Sequence, residues 1–96
     1  MSTSSPPQPK FTDKQGQYLA FIHAYTLVNG RPPAEADMER FFRVTPPSVH
    51  RMIVELEQRG LVRRLPHQPR SIEVALDPSA LPRLLPQPIK ISVERY

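Results

Sequence analysis

The chain of 96 residues has no cysteine and no tryptophan, and only three glycines, Gly16, Gly30 and Gly60. Without cysteine there are no disulfides and no thiolate metal sites, which accords with a reducing compartment. Three isolated glycines cannot build a Gly-rich phosphate loop. No apolar run is long enough to span a bilayer, and the amino terminus lacks the charged-then-apolar pattern of a signal peptide, so the expected location is the cytoplasm. The histidines, His23, His50 and His67, have neither HxxxH spacing nor acids placed as co-ligands. Glu55 and Glu57 lie two apart and face different sides of a helix, so they are no paired acid and base. The reading is therefore of a protein that is not an enzyme and carries no cofactor, metal site or small-molecule substrate site.

What the sequence has in excess is proline and basic charge. Thirteen prolines far exceed the usual share of about 5%, and they gather at the ends and at punctuation points. A formal net charge of +4 favours a polyanionic partner modestly. Segments 1–10, 11–76 and 77–96 differ in composition. The first is Ser-, Thr- and Pro-rich with little to bury and is expected to be a disordered leader. The second holds roughly 65 residues of core-forming sequence, enough for one small domain. The third is a Pro-rich tail.

The organising stretch runs from Val44 to Gly60. Thr45 suits an N-cap, Pro46 the first helical position, and Gly60 the left-handed residue that ends a helix. Val49, Met52, Ile53 and Leu56 follow helical spacing and form one apolar stripe. Pro47, His50, Arg51, Val54 and Gln58 point the other way. Such a face suits insertion into a nucleic-acid groove, and it is equally the composition of a solvated helix face.

Upstream, Thr12 and Gln15 make a T-x-x-Q capping box. Tyr18, Leu19, Ile22, Tyr25 and Thr26, flanked by Phe21, recur at helical spacing, which predicts a helix to about Val28 that stops at Asn29-Gly30. His23, beside this stripe, reads as structural or solvent-facing. A second helix is predicted to begin near Ala34-Glu35-Ala36-Asp37 and to bury Met38, Phe41 and Phe42. A short turn, Arg43-Val44-Thr45, joins it to the third helix, giving a helix-turn-helix. Beyond Gly60 the period falls to two. Leu61–Leu65 and Ser71–Leu76 read as strands joined by a polar loop with Pro66 and Pro69. The fold class predicted is mainly α with a small β-hairpin, a winged helix-turn-helix of three helices and a two-stranded wing.

The tail offers one helical turn at Asp77–Leu81. Leu81, Leu84 and Leu85 are expected to dock on the domain or on a partner. Ile89–Glu94 alternates as a half-buried strand, which cannot stand alone in water; it adds to the wing sheet, pairs with a second subunit or stays disordered, and a homodimer contact or docking is expected over disorder.

The residues Thr12 to Val74 resemble the winged-helix DNA-binding domain of the LexA repressor family. The resemblance is carried by Phe11-Thr12-x-x-Gln15, Asn29-Gly30-Arg31-Pro32-Pro33, Asp37-Met38 with Phe42, and Leu56-Glu57-Gln58-Arg59-Gly60-Leu61-Val62. It implies a sequence-specific transcriptional repressor whose third helix enters the major groove. Ala34 stands where the family usually has a Thr or Ser cap, and Thr45 to Arg51 differs from the family's usual opening of that helix, so an operator other than the family's own is expected. The sequence stops short of a self-cleaving protease domain, and a stand-alone module is expected.

On this reading Pro47, Ser48, His50, Arg51 and Val54 are the candidates for reading base edges, with Arg51 suited to guanine and Pro47 and Val54 to thymine methyls. Arg31, Arg43, Thr45, Arg63, Arg64, His67 and Arg70 are the candidates for the DNA backbone. The expected partner is double-stranded DNA. The alternative is a winged-helix protein-protein interaction module without DNA binding, supported by Glu55, Glu57 and Val54. A structured-RNA binder is disfavoured by the lack of strand aromatics for stacking.

Overall fold

The computed structural model describes residues 10–87. The leader residues 1–9 and the expected strand Ile89–Glu94 lie outside the described residues. The elements are helices α1 (Asp13–Asn29), α2 (Glu35–Phe42) and α3 (Pro46–Gln58), then strands β1 (Val62–Arg63) and β2 (Glu73–Val74) in an antiparallel pair, and a single 3₁₀ turn at Pro78–Ala80.

Local chemistry explains where the helices start and stop. The Thr12 Oγ1 accepts the Gln15 N–H at 3.1 Å, and the Gln15 Oε1 accepts the Thr12 N–H at 2.9 Å, closing the expected capping box. Gly30 ends α1 in the left-handed region at φ 75°. At α2 the Asp37 Oδ2 accepts the Ala34 N–H at 2.8 Å, but Ala34 has no side-chain oxygen to cap in return. The end of α3 is a Schellman motif: the Leu61 N–H reaches the Leu56 carbonyl at 2.9 Å and the Gly60 N–H reaches Glu57 at 3.0 Å, with Gly60 at φ 73°. Leu56 and Leu61, the apolar pair that accompanies this motif, are both buried.

These ends aim the apolar stripes at one core. Tyr18, Leu19, Phe21 and Ile22 of α1 meet Met38 of α2, Val49, Ile53 and Leu56 of α3, and Leu61, Val62 and Ile72 from the wing. Aromatic rings fill the α1–α2 junction. Tyr18 stacks on Phe42 with ring centroids 4.0 Å apart, and Phe21 lies 4.7 Å from Phe41.

The wing is shorter than the alternation predicts. Pairing runs from the Ala75 N–H···O Leu61 bond, at 2.8 Å, through Val62 opposite Val74 to Arg63 opposite Glu73. The expected strands Leu61–Leu65 and Ser71–Leu76 are corrected to this core for local reasons. Pro66 and Pro69 have no N–H to offer a ladder. The Leu65 N–H is taken at 2.9 Å by the Ser71 hydroxyl. His67 and Arg70 stand at φ 58° and 57°, a conformation no strand contains.

The tail docks on α1. Asp77 caps the 3₁₀ turn by accepting the Ser79 N–H at 2.9 Å. Leu81 and Leu84 pack on the core, while Leu85 is 54% exposed. The Gln17 amide clamps the extended chain, donating to the Arg83 carbonyl at 2.9 Å and accepting the Leu85 N–H at 2.8 Å.

Candidate nucleic-acid interface

Helix α3 stands as a ridge between two grooves. Turning 100° per residue, it places Pro47, Arg51, Val54 and Gln58 along its crest, Ser48 and Glu55 toward α1, and His50 and Glu57 toward the wing. Pro47, His50 and Arg51 are exposed; Ser48 and Val54 are half-buried. The structure thus brings all five sequence-predicted base-reading residues to the outward side of α3, three of them exposed.

The groove on the α1 side, about 400 Å³, is lined by Lys14, Ser48, Arg51 and Gln58, with Glu55 between Arg51 and Gln58. Lys14 is a residue the sequence reading missed. It shares the first turn of α1 with the capping box, and only the packing of α1 across α3 sets it beside Arg51. The groove on the wing side is lined by His50, Glu57, Arg64, Leu65 and His67.

The amino end of α3 is held by Thr45, whose Oγ1 accepts the Ser48 N–H at 3.4 Å and lies 3.0 Å from the Ser48 hydroxyl. Pro46 and Pro47 add no N–H there, so the free amides of this end are few. Arg43, in the turn before α3, is exposed at φ 57° with its N–H bonded to the Glu39 carbonyl. Non-glycine residues enter this left-handed conformation at a cost of about 1–2 kcal/mol.

The sequence-predicted backbone cations divide sharply. Among the described residues Arg31 and Arg43 form no ion pair, and neither do Lys14 and the predicted base reader Arg51. Arg31 is exposed in the α1–α2 loop and lines neither groove beside α3. The wing arginines are engaged within the fold. Arg63 faces Glu73 across the hairpin at 3.5 Å. Arg64 lies 3.3 Å from Glu35 and 3.2 Å from Glu57. Arg70 turns inward: its Nη1 is 3.1 Å from the Tyr25 hydroxyl, 3.3 Å from the Pro32 carbonyl and 3.1 Å from the Asp37 carboxylate. His67 is exposed at the tip of the wing loop, and His50 Nδ1 is 3.7 Å from Glu35.

Asp37 gathers these contacts at the base of the wing. Its residue is 8% exposed, and its carboxylate meets the Ala34 N–H, Arg40 and Arg70. Burial alone would raise its pKa. The Ala34 hydrogen bond, the Arg70 and Arg40 charges and the Tyr25 hydroxyl outweigh that and hold the carboxyl below its ordinary value.

Among the described residues no group of three or more His, Asp or Glu side chains could hold a metal ion, and no helix is long and apolar enough to cross a membrane. Chemically the surface offers hydrogen-bond donors, a methyl-bearing crest and cations around the amino half of one helix. Compared with known families, residues 8–71 match the LexA DNA binding domain, a DNA-binding and not a catalytic family. The match spans about two thirds of the chain and takes in α1, α2, α3, β1 and the wing loop. The chain belongs to the LexA DNA-binding domain family.

Proposed function

We propose that this protein binds double-stranded DNA in a sequence-specific manner as a transcriptional regulator, repressor-like in mode, with α3 as the reading helix. The observation that carries this reading is the crest of α3. It exposes Pro47 and Arg51, with Val54 half-buried between them and Gln58, on a ridge with a groove along each flank, a shape that suits a helix seated in a major groove. Arg51 donates to a guanine, His50 and Ser48 contact neighbouring base edges, and Pro47 and Val54 meet thymine methyls.

Backbone contacts fall first to the cations left free by the fold. Lys14 and Arg51 flank the reading helix on the α1 side, and Arg43 stands at its amino end. Thr45 and His67 complete the phosphate set, with Arg31 and Arg63 at its edge. Glu55 and Glu57 keep the carboxyl half of α3 away from phosphate, so the duplex meets the amino half. A DNA-bound regulator of this kind works in the cytoplasm, and a dimer through residues 77–96 would match a two-fold operator.

Selection of bound sequences from a random duplex pool tests the reading. An enriched motif is expected, with a second half-site at a fixed spacing if the protein acts as a dimer. Recovery of unbiased sequences, or no duplex retained at low salt, overturns it. The second outcome favours the interaction-module reading, which draws its support from the internally paired arginines of the wing.

A further inference from the structure

Arg64 is the one wing cation that touches both helices of the helix-turn-helix. Its Nη1 is 3.3 Å from Glu35 in the first turn of α2, and its Nε is 3.2 Å from Glu57 in the last turns of α3. Its side chain is 27% exposed, against 67% for Arg63 beside it. Both nitrogens thus face carboxylates, and the guanidinium fork is already used in the fixed geometry that distinguishes arginine from lysine. The ladder ends at Arg63, the residue before Arg64, and the chain then enters the loop that carries His67. The same Glu35 carboxylate stands 3.7 Å from His50 on the reading helix. The charged groups facing Arg64 are therefore Glu35 from α2 and Glu57 from α3, with His50 behind Glu35 and His67 across the groove.

We propose that Arg64 is a positioning residue, which fixes the wing loop against the reading helix by bridging Glu35 and Glu57, and is not itself a phosphate contact. The proposal rests on the DNA-binding reading for its consequence, though not for its geometry. A phosphate ligand and a bridge make opposite demands on the two acids. If Arg64 meets phosphate, Glu35 and Glu57 compete with DNA for it, and their removal strengthens binding. If Arg64 positions the wing, the acids are its anchors, and their removal weakens binding although the protein becomes more positive.

The test uses the full chain and the variants E35Q, E57Q, R64K and R64A in two measurements. The first, without DNA, is amide hydrogen exchange at the wing. Faster exchange is expected at Leu65 and nearby wing amides in R64A and E57Q, with α1 unchanged as the control for folding, and an intermediate rate in R64K, which can reach one acid at a time. Wing exchange equal to that of the parent chain overturns the bridge. The second is binding to the selected duplex and to random duplex across a salt series. All four variants are expected to lose several-fold on the selected site, with the salt slope of R64A unchanged. Tighter binding by E35Q and E57Q, with the R64A slope reduced by about 0.9, overturns the proposal and restores a phosphate contact. Failure of the parent chain to bind any duplex defeats the DNA reading, while the exchange result still decides the bridge.

Discussion

The Arg70 guanidinium and the Asp37 carboxylate, 33 residues apart in sequence, meet at 3.1 Å beneath the wing. Arg70 holds φ 57° to do so and also donates to the Tyr25 hydroxyl and the Pro32 carbonyl. This cation ties α1, the α1–α2 loop, α2 and the wing together. R70A is expected to lower the melting temperature by several degrees at neutral pH. The pH dependence follows from Asp37, whose carboxyl the fold holds below its ordinary value. Its contribution to stability is complete above the unfolded pKa of about 3.9 and is lost as pH falls through the lower folded value. The difference between R70A and the parent chain therefore shrinks toward the acid limb, and D37N removes that limb's steepness. Thermal melts from pH 7 down to pH 2 measure both; a gap that widens on acidification contradicts the pairing.

Lys14 and Arg51 share a groove and differ in expected role. R51A is expected to cost about 1–3 kcal/mol on the selected duplex and to relax preference at one base position. K14A is expected to weaken all duplexes alike and to reduce the salt slope by about 0.9. Titrations of both variants on selected and random duplex at several salt concentrations separate them. Equal losses on the two duplexes for R51A would remove it as a base reader.

Gly16 sits in the middle of a helical turn where alanine would ordinarily be preferred by about 1 kcal/mol. A Cβ there would come within 2.9 Å of the Phe11 ring and 3.0 Å of the Pro82 Cγ. Overpacking of this kind costs about 1–3 kcal/mol, so G16A is expected to be destabilising on balance in chemical denaturation. It is also expected to loosen the tail, read as faster amide exchange at Leu85. Increased stability with unchanged exchange would show that Phe11 and Pro82 move aside freely.

Arg43 occupies a left-handed position that glycine would take without strain. R43G is expected to stabilise the domain by about 1 kcal/mol and to weaken binding to every duplex if the side chain reaches phosphate. Denaturation and DNA titration on the same variant report the two effects separately. A loss of stability would mean that the Arg43 side chain contributes packing that outweighs the backbone term.

The helical frame was legible because its signals are local. Thr12 with Gln15, Thr45 with Pro46, and Gly30 and Gly60 past the helix ends act within four residues of themselves. The apolar stripes need only the helical period. The crest of α3 followed from the same arithmetic. The wing was overextended because alternation from Leu61 to Leu65 says nothing about the Ser71 hydroxyl that takes the Leu65 N–H. The cations were legible as charge and not as ligands. Arg64 and Arg70 look like surface arginines until Glu35 and Asp37, about thirty residues upstream, are folded against them. Lys14 was missed for the converse reason, since its value comes from a helix crossing. Leu81, Leu84 and Leu85 pointed to docking on the domain or on a partner; Leu81 and Leu84 take the first course and Leu85 stays exposed, and nothing in the identity of Gln17 marks it as the clamp.

The internal pairing of the wing arginines bears on how such a protein would find its site. Arg63, Arg64 and Arg70 direct charge at Glu73, Glu35, Glu57 and Asp37, so at contact distance they have less charge to offer the phosphates of arbitrary duplex than three free arginines would. On the proposed function, non-specific residence, which rests on counterion release, would then be brief. On the same reading, a specific site would be held mainly by the base contacts proposed for α3. Occupancy of the correct site should accordingly resist dilution by bulk DNA better than the net charge alone suggests.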